Sequence, residues 1–171
     1  MTLDQRITFF QQVLEKMKLK PTYNRMLWLM GMAAVENTKA KNNPLATIWN
    51  MASVDPGQTK FNSAGVKNYS TADIGAAATA RTLMQTKYYP NIYAALKNDV
   101  SPLAPTLNQD ALQKEFVTYG GWALYWATVK GKAATSALQE FVKKNYKPIL
   151  GAGTVLLLFG LVLLLTNNRN A

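Results

Sequence analysis

The chain has 171 residues, half of them apolar and a sixth charged, a balance that argues against disorder and suits one folded domain with an added apolar segment. Nineteen Lys and Arg against nine Asp and Glu give a net charge of +10, and 18 of those cations precede residue 149, so the folded part is itself basic and suited to anionic partners. The absence of Cys and His excludes disulfides, thiol nucleophiles, Cys or His metal ligation and serine-histidine catalysis, leaving acid-base work to the carboxylates or to a perturbed Lys or Tyr.

Thr2 with Gln5 forms a capping-box pattern, and Ile7, Phe10, Leu14 and Met17 recur on one face, which predicts an amphipathic helix ending near Lys20-Pro21. Thr22 can cap a second helix whose run from Met26 to Val35 is apolar on nearly every side, as in a central core helix that ends at Glu36-Asn37. From Thr38 to Ser70 the turn signals Asn43-Pro44, Asp55-Pro56-Gly57 and Asn62-Ser63 predict loops or a small β-hairpin. Ser70 with Asp73 reads as another capping box, opening a helix whose small residues from Ala76 to Ala80 permit close approach to a neighbour. Tyr88-Tyr89-Pro90 leads into a short helix ending near Lys97. After the Pro102–Pro105 link, Thr106 or Asn108 caps a further helix; an aromatic helix from Trp122 to Val129 and a last one from Ser136 follow.

Ile149 to Leu165 contains no charge, and its 17 residues would rise about 25 Å as a helix, slightly short of a hydrocarbon core of about 30 Å. Lys143, Lys144, Lys147 and Arg169 can reach the interfaces and extend the span. The expected organisation is a soluble domain over residues 1–145, a transmembrane helix over 148–166 and a polar tail over 167–171. The start Met1-Thr2-Leu3-Asp4 lacks the basic and apolar regions of a secretory signal peptide, so insertion from the C-terminus is expected, with the domain beginning on the cytoplasmic side by the lysine bias. The expected partners are thus a lipid bilayer and anionic material. The basic residues are scattered, with no run longer than Lys143-Lys144, which speaks against specific nucleic-acid binding.

Among the carboxylates, Asp4 and Asp73 fall in first helical turns, Asp55 and Asp99 in turns, and Glu15, Asp110, Glu115 and Glu140 among polar helix residues. Glu36 differs: it ends a strongly apolar helix, where both the helix dipole and apolar surroundings oppose ionisation. A carboxyl of raised pKa is what a general acid near neutrality requires. The bland reading is a solvated helix end. The amides and hydroxyls of the following loop (Asn43, Asn62 and Ser63 among them) could bind a hydroxylated polymer, with Trp49 and Tyr69 stacking on sugar faces, although each alone fits an ordinary turn. Trp122, Tyr125 and Trp126 could extend such a surface but are at helical spacing, which favours the core.

Glu36, then Asn42-Asn43-Pro44-Leu45, Phe61-Asn62-Ser63-Ala64-Gly65-Val66-Lys67-Asn68-Tyr69, Ile74-Gly75-Ala76-Ala77-Ala78-Thr79 and Tyr89-Pro90 together resemble the lysozyme-like domains of bacteriophage virion proteins, over about residues 22 to 97. The resemblance implies a mainly α (α+β lysozyme-like) fold, in which a glutamate ending a buried helix faces a β-lobe across a glycan-binding cleft. It implies Glu36 as general acid and peptidoglycan glycan strands as substrate; with the residue types of the loop, the expected glycan contacts are Asn43, Trp49, Asn62, Ser63 and Tyr69, and no metal or cofactor is expected. A lytic transglycosylase needs one carboxyl; a hydrolase would need a second, for which Asp55 is the nearby candidate. The expected protein is a membrane-anchored, virion-associated peptidoglycan-cleaving enzyme acting at cell entry, in a virion membrane or the host inner membrane. The alternatives are a non-catalytic structural membrane protein of the virion that binds glycan or other virion proteins, and a host-membrane lysis or wall-adhesion factor.

Overall fold

The computed structural model describes residues 1–116 together with Tyr125 and Val129. The chain divides into two units, Met1–Leu138 and Gln139–Ala171, and the described residues all belong to the first. They form five helices and a two-stranded sheet: α1 (Leu3–Lys16), α2 (Tyr23–Glu36), β1 (Thr59–Lys60), β2 (Lys67–Asn68), α3 (Ala72–Leu83), α4 (Pro90–Lys97) and α5 (Gln109–Glu115). Among them no helix is long and apolar enough to cross a membrane. The expected transmembrane helix, the polar tail and the helix from Ser136 lie outside the described residues, as do Trp122 and Trp126.

The Thr2–Gln5 capping box forms in both directions: the Thr2 hydroxyl accepts from the Gln5 N–H while the Gln5 side chain accepts from the Thr2 N–H at 2.8 Å. The helix stops earlier than Lys20 because Lys18 turns left-handed at φ 59°, and the Lys18 and Leu19 N–H groups bond back to the carbonyls of Glu15 and Leu14. This paired closure satisfies the helix's last carbonyls but leaves a side chain where glycine is preferred. Lys18→Gly is therefore expected to raise stability by about 1 kcal/mol, readable as a higher urea midpoint at unchanged slope.

Helix α2 is the core element, with Met26 to Ala33 buried at every position, as its all-round apolarity requires. Trp28 stacks on Tyr125 with ring centroids 5.4 Å apart, and Phe116 closes on Tyr125 at 4.4 Å. Tyr125 is thus a core residue and offers no sugar-binding face. Gly31 permits this packing, since a Cβ there would lie 2.6 Å from Val129 Cγ2.

The first turn of α2 is fastened to the end of α4. Arg25 donates through Nε to the Leu96 carbonyl at 2.6 Å and through a terminal nitrogen to that of Lys97 at 2.9 Å; Trp28 Nε1 reaches the Val100 carbonyl at 2.8 Å. The Leu96 and Lys97 carbonyls stand at the C-terminus of α4, where a cationic donor complements the negative helix end, and the indole ties α2 to the chain just beyond it. Helix α3 begins one residue later than the Ser70 box predicts. Thr71 is the cap and accepts from Ile74 N, because the Ser70 N–H is committed to Asp55 Oδ2 at 3.0 Å. Asp73 pairs with Lys16 at 2.6 Å and so links the start of α3 to the end of α1.

Candidate functional site

Between α2 and α3 the chain folds into the expected irregular lobe. Strands β1 and β2 pair antiparallel with Thr59 opposite Asn68 and Lys60 opposite Lys67. The Phe61–Tyr69 block is explained by this hairpin. Phe61 N bonds to Val66 O at 2.7 Å, Gly65 takes the left-handed turn position at φ 88°, and the Asn62 side chain accepts from Val66 N at 3.2 Å.

A third segment runs alongside. Tyr69 N donates to Lys41 O at 3.0 Å, Lys41 N to Asn68 Oδ1 at 2.8 Å and Lys67 N to Thr47 O at 3.2 Å. Asn43 binds these pieces together. Its side-chain amide donates to the carbonyls of Thr47 at 2.8 Å and Lys67 at 2.7 Å, while its oxygen accepts from Thr47 N at 2.9 Å. The Thr82 hydroxyl donates to Ala78 O at 3.0 Å, so the proton in its contact with the Thr47 hydroxyl comes from Thr47. That contact ties the lobe to α3.

These bonds decide where the expected glycan-contacting residues stand. Asn43 is fully buried and Tyr69 is 1% exposed, its hydroxyl donating to Trp49 O at 2.7 Å. Burial pushes the Tyr69 phenol well above its ordinary pKa, outweighing the lowering effect of the Thr47 side chain, with the neighbouring Asp55 charge adding to the rise. Contrary to expectation, neither side chain can touch a polymer: the hydrogen-bonding capacity and aromatic area that suggested glycan contact are used to hold the lobe together. Trp49 is half-buried against Met51, Tyr69 and Ala78. Asn62 and Ser63 are exposed at the hairpin tip.

Glu36 is the last residue of α2, partly exposed, and followed by Asn37 in the left-handed conformation at φ 42°. Among the described residues it has no hydrogen bond or ion pair. Partial burial raises its carboxyl pKa above the ordinary value, and its place at the negative end of α2 acts in the same sense. The lobe begins at Lys41, and five residues of chain hold the two within at most about 18 Å. An open hollow of about 380 Å³ lies elsewhere, lined by Gln11, Glu15, Lys18, Leu19, Lys20 and Pro21, and includes none of the expected site residues.

Asp55 is 1% exposed, with Oδ2 holding Ser70 N and Oδ1 buried without a partner among the described residues. It cannot reach a bound substrate as a second carboxylate. Glu115, expected on a polar face, is instead 7% exposed and caps α4: its oxygens accept from Asn91 N and Ile92 N, each at 2.8 Å. Its spacing three beyond Leu112 and one before Phe116, both buried, is the sequence signal that places it inward. Glu115→Ala is expected to cost about 3 kcal/mol in equilibrium unfolding, because two N–H groups of a short helix lose their partner. Among the described residues no cluster of Asp and Glu could hold a metal ion.

No protein-family profile, no curated protein and no solved structure matches this chain.

Proposed function

We propose that this chain is a peptidoglycan-cleaving enzyme of lytic transglycosylase type, carried by a bacteriophage virion, anchored to a bilayer by residues 148–166 and acting at cell entry. The observation that carries the proposal is Glu36, a carboxyl of raised pKa with no partner among the described residues, at the C-terminus of the buried helix that leads into the lobe. Such a group is protonated to a higher pH than an ordinary glutamate, as donation to a glycosidic oxygen requires. Glu36 gives its proton to that oxygen as the anomeric C–O bond breaks. Its carboxylate then takes the proton from the sugar's own hydroxyl, whose oxygen closes on the anomeric carbon, and the acid is regenerated. The step uses one carboxyl, in keeping with the burial of Asp55. The remaining glycan contacts are assigned to Trp49, Asn62 and Ser63, in a mainly α, lysozyme-like fold.

A second reading, a non-catalytic virion membrane protein with the same fold, is favoured by one observation: Asn43 and Tyr69 serve the lobe's own structure. Digestion of purified peptidoglycan by the detergent-solubilised full chain separates the two. Anhydro ends on the released muropeptides support the first reading. Reducing ends would replace it with a hydrolase, and absence of cleavage by folded protein would leave the second.

A further inference from the structure

The surface of the lobe has a character that glycan binding does not call on. Between residues 38 and 70 the cations are Lys39, Lys41, Lys60 and Lys67, and the single acidic residue, Asp55, is 1% exposed. None of these lysines makes an ion pair among the described residues, whose salt bridge joins Lys16 to Asp73. The lobe therefore presents cationic side chains and no exposed carboxylate.

Large apolar side chains stand among them. Ile48 is 63% exposed, Val54 58% and Phe61 42%. The segments that carry Ile48 and Phe61 lie on the two sides of β2: the Lys67 N–H donates to the Thr47 carbonyl at 3.2 Å, and Lys60 pairs with Lys67 on the other side. Two strand spacings, roughly 10 Å, separate Thr47 from Lys60, and Ile48 and Phe61 are the next residues in the chain. Aliphatic groups such as Ile48 and Val54 cannot stack on bases or sugars; removal from water into hydrocarbon is what stabilises them. Exposed apolar side chains interleaved with lysines that lack counter-charges are the surface chemistry of an interfacial contact with anionic lipid.

We propose that the lobe docks on an anionic bilayer surface, with Ile48 and Phe61 entering the headgroup boundary and Lys41, Lys60 and Lys67 held over lipid phosphates and carboxylates. Docking would fix the orientation of the soluble unit on the membrane, whether or not Glu36 is catalytic. The chain's uncharged stretch from Ile149 to Leu165 gives it a reason to work beside a bilayer.

The chain has no Cys, so one introduced thiol carries a single label. Full-length Ile48→Cys, bearing an environment-sensitive fluorophore, is combined with vesicles of phosphatidylcholine alone or with added phosphatidylserine, and Leu103→Cys serves as the control site. The expected result is a blue-shifted emission at position 48 with phosphatidylserine only. The shift should disappear in Lys60→Glu/Lys67→Glu and in about 1 M salt, where the screening length falls to about 3 Å. No shift at position 48, an equal shift at position 103, or a shift that survives high salt and the charge reversal would overturn the proposal.

Discussion

Replacing Glu36 by Gln is expected to leave the fold intact and to lower peptidoglycan cleavage by a factor of about 10² to 10⁴, the range supplied by a positioned general acid. The side chain is partly exposed and has no hydrogen bond or ion pair among the described residues, so the amide disturbs no described contact. Two pH effects accompany the loss. In the wild type, activity should fall as pH rises through a pKa above the ordinary glutamate value, because donation needs the protonated form. The stability effect has the same origin. A carboxyl whose pKa is raised by folding favours the native state below its unfolded pKa and loses that advantage as pH rises through the folded one. Glu36→Gln should therefore unfold at a higher temperature than wild type near neutrality, with the difference closing below about pH 4.5. Clearing by Glu36→Gln at the wild-type rate would remove Glu36 from the chemistry, and a lower melting temperature at neutral pH would contradict the burial penalty.

Gly75→Ala is expected to damage the structure where a glycine is needed for close packing. In an exposed helix interior the change gains up to about 1 kcal/mol from helix propensity. Here the added methyl would stand 1.9 Å from the Asn42 carbonyl oxygen and 3.3 Å from the Phe9 ring. The obstruction is backbone and cannot swing aside, so α3 or the 41–43 segment must shift. That segment carries the Asn42 bond to Tyr69 O at 2.9 Å and the Lys41 bonds to Asn68 and Tyr69. The clash outweighs propensity, and a net loss of about 3 kcal/mol is expected in denaturant unfolding. Gly57→Ala is the contrast. A Cβ there meets Asp55 Oδ1 at 3.6 Å and Ser70 Cβ at 3.7 Å, ordinary contacts, and the change should stay within about 0.5 kcal/mol. Equal midpoints for the two variants would mean that the Asn42 carbonyl does not lie against α3 at Gly75.

Both variants act where sequence and tertiary structure meet. Glu36 stood out in the sequence because an unbroken apolar run fixes a helix as buried, and the residue ending such a run must take the dipole and part of the burial. The caps Thr2 and Thr22, and Asn108 as one of two candidates with Thr106, were legible for a similar reason: each acts on an N–H within three residues, so spacing narrows the choice, although at α3 it pointed to Ser70 and the cap is Thr71. The Phe61–Tyr69 hairpin was legible as turn chemistry, but its Asn and Tyr residues carried no mark of which way they face.

The sequence by itself determined the helical frame, the place of the lobe between α2 and α3, the basic charge, and the lack of Cys and His chemistry, since these depend on composition and on contacts a few residues apart. Only the tertiary structure decided that Asn43 and Tyr69 support the lobe, that Asp55 is enclosed and that Glu115 caps α4. Their partners lie many residues away: Lys67 for Asn43, Trp49 for Tyr69, Ser70 for Asp55, and Asn91 and Ile92 for Glu115. A polar side chain can bind substrate or satisfy a distant backbone group with the same atoms. Which it does is settled by whether folding brings that backbone group within hydrogen-bonding distance and shuts water out, and no local pattern encodes that.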